Sequence, residues 1–334
     1  MKVISFIIPV KNRSGLFEQA ISSLLTQSDS AWEAIVVDDR SDNHEFEKIQ
    51  QICMADSRIK LKRRDGTRGG APVCRNLGVR YATSDYMVFL DSDDMIGKDF
   101  VKTRLETMAK EPGCQMWIFP VRVFMDIPGD SRLLWNVFNE HNDLDRFLNA
   151  DPPWHTASPV WEKKSFLDTG GFDEELLCWQ DWEIHVKALV LNLKYIKIDQ
   201  KPDIFYRLHD RDAIRKHNIS KESLLSRFAA VKSTFLLMKN NSTLNKRRKY
   251  LFGKLIINIY ISLYKTDSRE ADILLDFIAR EKILSGFEMK IWLVRIKNSN
   301  IEILNKVIDK MIYRKHNDHF LDTKTDYLHT ETVD

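Results

Sequence analysis

Hydrophobic runs of strand length alternate with stretches of helical periodicity through the first hundred residues. Residues 3–10 are apolar enough for a buried strand. In the segment that follows, apolar side chains recur at the spacing of a helix, and Ser14 is the predicted cap of that helix. Further strands are predicted at 34–37, 58–61 and 86–90, and further helices at 46–54 and from Pro72 onward. Such alternation is typical of a mostly parallel sheet with helices on both faces, so we predict an α/β fold.

The pattern changes near residue 220, where strands give way to helices alone. Before that point a helix is predicted at 101–108, and strands at 116–124, 195–198 and 204–207. After it comes a helical stripe formed by Leu224, Phe228, Val231 and Phe235. Later helices begin at two capping boxes, Asp267 with Glu270 and Ser299 with Glu302. We therefore predict an α/β domain over residues 1–215, an all-helical extension over 216–314 and a polar, flexible tail over 315–334.

Composition places the chain among ordinary globular proteins. Of its 334 residues, 43% are hydrophobic and 30% are charged, and the net charge of +3 does not indicate a nucleic-acid partner. The four cysteines are widely spaced, which is typical of free thiols in a reducing compartment. The apolar run at 3–10 is too short for a signal peptide, and the run at 255–264 is about half of a bilayer span. We therefore expect a cytoplasmic protein, either free or peripheral at the inner face of the membrane.

The candidate chemistry lies where the predicted strands end. Asn12 and Asp39 follow the first two strands, and Asp91, Asp93 and Asp94 follow the strand at 86–90. The carboxyl ends of parallel strands meet at the ligand-binding edge of an α/β sheet, so these side chains are predicted to share one cleft. Three carboxylates within four residues repel one another unless a cation lies between them, and a divalent ion is the usual partner. The simpler interpretation is an acidic turn in which Asp91 caps the following helix.

Several nucleotide-binding folds are excluded by the loops after these strands. The first loop lacks the Gly-x-Gly-x-x-Gly of dinucleotide-binding folds, and no Gly-x-x-x-x-Gly-Lys-Ser/Thr phosphate loop occurs in the sequence. A phospho-acceptor receiver domain also gathers carboxylates at strand ends. In that fold, however, the acidic pair follows the first strand, whereas Asp38 and Asp39 follow the second.

Six short motifs in a fixed order carry a resemblance to a known family. They are Ile-Ile-Pro-Val-Lys-Asn-Arg at 7–13, Val-Val-Asp-Asp-Arg-Ser at 36–41, Gly-Gly-Ala-Pro-Val-Cys-Arg-Asn-Leu-Gly at 69–78, Phe-Leu-Asp-Ser-Asp-Asp at 89–94, Gly-Gly-Phe-Asp-Glu at 170–174 and Gln-Asp-Trp-Glu at 180–183. Together they resemble family 2 glycosyltransferases with the GT-A fold, and the match covers about residues 1–210. The resemblance implies inverting transfer of a sugar from a nucleotide-sugar, preferably a UDP-sugar, to a hydroxyl acceptor in polysaccharide or glycan assembly.

The same resemblance implies roles for individual residues. It assigns the nucleotide-sugar to Pro9, Val10, Asn12, Asp39, Arg75, Asn76, Asp91 and Ser92, with the Gly69-Gly70 turn letting the backbone approach. It assigns a Mn²⁺ or Mg²⁺ ion to Asp91, Asp93 and His209. Asp181 matches the position of the general base. Trp154, His155, Trp179 and Trp182 are expected on the acceptor side, although the tryptophans are equally interpreted as core residues.

Elementary chemistry agrees with those roles. Oxygen ligands suit Mg²⁺ or Mn²⁺, and such an ion neutralises charge on a nucleoside diphosphate leaving group. A carboxylate on the other side of the sugar takes the proton of the attacking hydroxyl, which typically contributes ~10² to 10⁴ in rate. Two positions depart from the family pattern. Lys11 stands where many relatives have an aromatic residue, and Gln180 stands where an acidic residue usually precedes the base.

Two alternatives and two kinds of partner stay open. One alternative is a sugar-phosphate nucleotidyltransferase on a related fold, for which the loop 11–15 is a poor phosphate loop. The other is a non-catalytic carbohydrate-binding protein of the same fold. The expected acceptor is a glycan or a lipid-linked sugar. The basic run 246–249 suggests contact with anionic lipid, and the same helices suit formation of a homo-oligomer.

Overall fold

The computed structural model describes residues 3–135, 137–209, 220–297 and 329–330. The strands are β1 (Ile4–Val10), β2 (Trp32–Asp38), β3 (Ile59–Arg63), β4 (Tyr86–Phe89), β5 (Met95–Ile96), β6 (Met116–Ile118), β7 (Val121–Phe124), β8 (Leu133–Leu134), β9 (Pro159–Glu162), β10 (Tyr195–Lys197), β11 (Ile204–Arg207) and β12 (His329–Thr330). The helices are α1 (Ser14–Leu25), α2 (Asn43–Cys53), α3 (Ala71–Tyr81), α4 (Phe100–Lys110), α5 (Asp143–Leu148), α6 (Lys163–Asp168), α7 (Gln180–Val190), α8 (Lys221–Asn240), α9 (Lys246–Tyr264), α10 (Ser268–Arg280) and α11 (Gly286–Lys297).

The larger sheet has the order β10-β6-β9-β4-β1-β2-β3 among the described strands. Its pairings are parallel except at β9, which runs antiparallel to both β4 and β6. The central strand β1 pairs Val10 with Asp38 on one side and Ile7 with Phe89 on the other. The loops after β1, β2 and β4 therefore leave the sheet at the same edge, as the sequence predicted.

Helices cover both faces of this sheet, which explains why β2 is buried along its whole length. Alternate side chains of β1 enter two separate hydrophobic layers. Phe6 belongs to the layer that includes residues of α1, and Ile7 belongs to the layer that includes residues of α3. Helix α3 packs closely on the strand, since a Cβ added at Gly78 would lie 2.5 Å from Cγ2 of Ile7.

A second, smaller sheet has the order β12-β8-β7-β11-β5. The sequence predicted one strand over 116–124, and this prediction was wrong. The segment forms β6 in the larger sheet and β7 in the smaller one. The break falls at Pro120, which has no N–H to donate to a strand ladder. Phe119 instead donates its backbone N–H to Ser158, 3.0 Å away, and the chain changes sheets there.

Two predicted helix starts were tested, with different outcomes. Ser14 was predicted to cap α1, but it is the first residue of the helix, and no side chain caps it from Arg13. The N–H of Ser14 donates instead to Oε2 of Glu45, 2.8 Å away. Asp267 is confirmed as the cap of α10, because its side chain accepts the N–H of Glu270 at 3.1 Å. The predicted box is incomplete, since the N–H of Asp267 donates to Leu263 and Glu270 pairs with Lys221 instead. The other predicted box, at 299–302, lies outside the described residues.

The C-terminal helices share the core of the α/β domain. The stripe at 224, 228, 231 and 235 is buried, and it joins one hydrophobic cluster with residues of β1, α3 and α7. The predicted boundary at 215–216 lies outside the described residues, as does the predicted tail except for β12. In the basic run, Arg247 and Arg248 both form ion pairs with Asp145. In the described part of the chain, no helix has the length and apolar character needed to cross a bilayer.

Candidate active site

The loop after β4 presents its acids to different partners at the carboxyl edge of the larger sheet. Asp91 accepts a hydrogen bond from Nη2 of Arg75 at 2.6 Å. Asp93 accepts one from Nη1 of Arg13 at 2.7 Å, and the same carboxylate oxygen lies 2.8 Å from Nε2 of His209. The loops after β1, β4 and β11 therefore meet at Asp93. His209, which the resemblance assigns to the metal together with Asp93, lies beside that residue.

Asp94 is the buried acid of this loop, with 1% of its surface exposed. Its Oδ1 accepts the backbone N–H of Arg207 at 3.0 Å, whereas Oδ2 is buried and has no hydrogen-bond partner. Burial raises the pKa of Asp94 well above its ordinary value, and the neighbouring Asp91 and Asp93 raise it further. A cation beside the free, buried Oδ2 would offset this effect and favour the ionised carboxylate.

Arg207 organises the acidic loop and was not singled out from the sequence. Its Nε donates to the backbone oxygen of Asp93 at 2.9 Å, and its Nη2 donates to Oε1 of Gln19 at 2.7 Å. The guanidinium also lies 4.4 Å from the centre of the Phe124 ring. The only signal in the sequence was its position two residues before His209, in the motif Tyr-Arg-Leu-His.

Asp181 and His155 complete the acidic cluster. Asp181 lies in the first turn of α7, where Oγ1 of Thr156 donates to its Oδ2 over 3.4 Å. His155 is 6% exposed, and burial lowers the pKa of its ring against the opposing effect of Asp91 and Asp181. Ligand atoms of His155 and Asp91 lie within 4.8 Å of each other, and Thr156, the next residue, contacts Asp181, so the loop after β4 and the start of α7 face the same space.

These residues fit a divalent cation. In the described residues, one group of three has ligand atoms within 4.8 Å of one another, and it consists of Asp91, Asp94 and His155. Carboxylate oxygens with one imidazole suit Mn²⁺ or Mg²⁺. Oδ2 of Asp94 is buried and has no hydrogen-bond partner, so it is available as a metal ligand. The set expected from the sequence was Asp91, Asp93 and His209, so the structure offers Asp94 and His155 as additional ligands in the same loop cluster.

The nucleotide side is built around Asp39, which is 7% exposed. Its carboxylate accepts from Nε of Arg64 and from the backbone N–H of Gly70, the latter at 3.1 Å to Oδ2. Nζ of Lys11 lies 3.7 Å from the same oxygen. Gly69 is required here, because an added Cβ would lie 2.2 Å from Nη2 of Arg64 and 2.9 Å from Oδ1 of Asp39. Arg64 is a second residue that the sequence did not single out.

The remaining residues of the first and fourth strand loops lie close to this edge. Pro9 is half-buried, while Val10 and Ser92 are buried. Asn12 has a φ of 48°, which asparagine tolerates better than most residues, and its Oδ1 accepts the N–H of Asp42 at 2.9 Å. Its side chain therefore joins the loops after β1 and β2.

Asn76 was predicted to bind the nucleotide, and the structure gives its amide another task. Nδ2 donates to the backbone oxygen of Phe172 at 2.8 Å and to Oε1 of Glu174 at 3.0 Å. Oδ1 accepts the N–H of Phe172 at 3.0 Å. With both N–H donors and one lone pair of Oδ1 used in this way, Asn76 fixes the loop 170–176 and has no N–H left to donate to a nucleotide in this conformation.

The tryptophans expected on the acceptor side are buried or half-buried. Trp154 is 1% exposed and Trp182 is 6% exposed, so their rings pack in the core and the acceptor-side prediction is wrong for them in this conformation. Nε1 of Trp182 donates to the backbone oxygen of Phe147 at 2.8 Å, which satisfies its one polar group. Trp179 is half-buried and immediately precedes α7, and the centre of its ring lies 5.4 Å from that of Trp182.

Comparisons with known proteins agree on one family. The model for "Glycosyl transferase family 2" matches residues 5–160. The amylovoran biosynthesis glycosyltransferase AmsB of Erwinia amylovora is 27% identical over 210 residues, covering 60% of this chain and 69% of that protein. WfgD of Escherichia coli, a UDP-Glc:alpha-D-GlcNAc-diphosphoundecaprenol beta-1,3-glucosyltransferase, is 35% identical over 109 residues, covering 32% of this chain and 42% of the relative. The chain spans 17% to 43% of the length of several curated relatives that it matches.

Solved structures show the same fold. Residues 1–349 of S. aureus TarS, solved in complex with UDP-GlcNAc, match 93% of this chain and 84% of their own length with a TM-score of 0.58. The sequence identity is 15%, so this likeness speaks for the fold alone. The predicted fold, a GT-A-like α/β domain followed by helices, is confirmed.

Proposed function

We propose that the chain is a metal-dependent inverting glycosyltransferase, because residues 5–160 match the model for glycosyl transferase family 2, the family that the motifs resemble. It moves a sugar from a nucleotide-sugar, preferably a UDP-sugar, to a hydroxyl group in polysaccharide or glycan assembly. The observation that carries the proposal is the convergence of acids from separate loops. Ligand atoms of Asp91 and His155 lie within 4.8 Å of each other, and Thr156, the next residue, contacts Asp181. Asp93 is joined to the loops after β1 and β11.

Asp181 acts as the general base in this proposal. It takes the proton from the acceptor hydroxyl while the hydroxyl oxygen forms a bond to the anomeric carbon. The bond from that carbon to the phosphate oxygen breaks on the opposite face, and the nucleoside diphosphate leaves with the bonding electrons. A single displacement of this kind inverts the anomeric centre. Thr156 lies beside the base, with its hydroxyl 3.4 Å from Oδ2 of Asp181.

The donor lies on the other side of the acidic cluster. Asp39, held by Arg64 and Gly70, is placed to accept hydrogen bonds from the base or ribose. Arg75 and Arg13 hold the carboxylates of Asp91 and Asp93 in place through charged hydrogen bonds before the donor binds. A Mn²⁺ or Mg²⁺ ion, when bound by residues among Asp91, Asp93, Asp94, His155 and His209, neutralises the negative charge of the diphosphate.

The choice of UDP and of a lipid-linked acceptor rests on relatives. TarS was solved with UDP-GlcNAc, and the name of WfgD gives UDP-Glc as donor and a diphosphoundecaprenol-linked sugar as acceptor. From the acceptor of WfgD we propose that the protein acts at the inner face of the membrane, where it would meet such an acceptor. The pairing of Arg247 and Arg248 with Asp145 leaves fewer cations of the basic run for anionic lipid.

The proposal is tested with Asp181→Asn and a matched acidic control. Wild-type protein is screened with Mn²⁺ for release of nucleoside diphosphate from UDP-Glc, UDP-GlcNAc and GDP-Man, with GlcNAc as acceptor. Loss of the base should lower kcat by about 10² to 10⁴ and leave the Kd for UDP within twofold. Asp168→Asn, which changes an exposed acid on α6, should retain activity. A large loss of UDP affinity in Asp181→Asn would contradict the role of Asp181 as general base. Turnover as fast as that of wild type would also reject that role.

A further inference from the structure

The loop that leads to the proposed base is held by the C-terminal helices. Ser226, in α8, is buried, and its Oγ accepts the backbone N–H groups of Leu177 at 2.9 Å and of Cys178 at 3.3 Å. The hydroxyl donates in turn to the backbone oxygen of Cys178, 3.4 Å away. One side chain therefore accepts two backbone N–H groups, and makes a longer contact with a backbone oxygen, at the residues that precede α7.

Two neighbours of Ser226 extend the contact along one face of α8. The backbone oxygen of Ser223 accepts from Sγ of Cys178 at 3.3 Å. The guanidinium of Arg227 lies 5.4 Å from the centre of the Trp179 ring. Ser226 and Arg227 lie three and four residues after Ser223, one turn further along the helix, so both are neighbours of Ser223 on its surface. This surface, which we call the α8 clamp, touches residues 177–179 in succession.

The clamped loop ends in a backbone conformation that needs support. Trp179 has a φ of 62°, in the left-handed region that a residue with a bulky side chain rarely adopts. It precedes α7 directly, and its side chain does not cap the helix. The contact of Asp181 with Thr156, at 3.4 Å, is long for a hydrogen bond between oxygens. The position of Asp181 therefore depends on where the backbone of residues 177–180 lies.

We propose that Ser226 is a positioning residue for the transfer reaction, through which the α8 clamp sets the place of Asp181 opposite the donor. The C-terminal helices then contribute to chemistry without contacting either substrate. This inference rests on the proposed function of Asp181. It predicts a change in the rate of transfer with no change in nucleotide binding, because the residues assigned to the nucleotide lie on other loops.

The test compares Ser226→Ala with Ser233→Ala. Both serines lie in α8, but Oγ of Ser233 donates only to Ala230 of its own helix. With the nucleotide-sugar that wild-type protein turns over fastest, Ser226→Ala should lower kcat roughly 10- to 100-fold, as a small misplacement of a reacting group does. The Kd for UDP and the donor KM should stay within twofold. Ser233→Ala should match wild-type protein.

Each of the other possible outcomes rejects either the positioning role of Ser226 or the proposed function itself. A kcat for Ser226→Ala within twofold of wild type overturns the positioning role, and so does a parallel loss of kcat and UDP affinity. If Ser226→Ala does not fold, Ser226→Cys replaces the hydroxyl with a weaker acceptor of similar shape, and the same two criteria apply. Should Asp181→Asn keep full activity, the proposed function itself fails. An inactive Asp181→Asn beside a fully active Ser226→Ala rejects this inference alone.

Discussion

Replacing Glu33 with glutamine should destabilise the fold in a way that depends on pH. Glu33 lies in β2 and is 6% exposed. Its carboxylate accepts from Oγ of Ser5 at 2.7 Å and from Nζ of Lys60 at 2.7 Å. Thr83 donates both its backbone N–H, at 2.6 Å, and its hydroxyl, at 2.8 Å. One carboxylate thus ties β1, β2, β3 and the turn before β4 together.

The size of the effect follows from the pKa of Glu33. Burial alone would raise it, but the hydrogen bonds from Lys60, Ser5 and Thr83 outweigh burial and lower the pKa from 4.5 to about 2. At 1.36 kcal/mol for each pKa unit, this difference sets an upper bound of about 3 kcal/mol on the stabilisation at pH 7. The folded pKa is the lower one, so the stabilisation is complete above pH 4.5 and is lost as the pH falls toward 2. Glu33→Gln should therefore cost about 1 to 3 kcal/mol at neutral pH.

Urea unfolding at pH 7, 5, 4 and 3 measures this contribution. The stability difference between wild-type protein and Glu33→Gln should be constant from pH 7 to 5 and then shrink with acidification. Glu47→Gln, which changes an exposed acid on α2, controls for the loss of one negative charge and should unfold with wild type. A difference that stays the same at pH 3, or no difference at pH 7, would refute the reasoning from hydrogen bonds.

Two further outcomes test packing and the metal. Gly253→Ala should destabilise by about 1 to 3 kcal/mol in urea unfolding, because the added Cβ would clash with Cδ2 of Leu284. Adding Leu284→Ala should recover part of that loss. A Gly253→Ala variant as stable as wild type would contradict the close packing of α9. EDTA should stop release of nucleoside diphosphate and Mn²⁺ should restore it; turnover that continues in chelator would remove the cation from the proposal.

Much of the fold and part of the site could be predicted because their signals are local. Periodicity located β1, β2 and β4 to within one or two residues, and parallel topology then brought the loops bearing Asp39, Asp91 and Asp93 to one edge. The order of the strands was not predictable in this way. β9 enters the larger sheet antiparallel between β4 and β6, and such pairing depends on contacts between distant parts of the chain.

The roles of single side chains were decided by the tertiary structure. Asn76 matches a nucleotide-binding motif, yet its amide hydrogen-bonds to the backbone of Phe172, 96 residues away. Arg207 supports Asp93 from 114 residues away, and its place two residues before His209 was the only local signal of that role. The sequence by itself therefore determined the strands, the helices and the acids available to the cleft, because backbone preference and hydrophobic periodicity act over a few residues. Which of those polar groups remain free for a ligand was decided only when distant loops met, because each buried donor and acceptor must find a partner there.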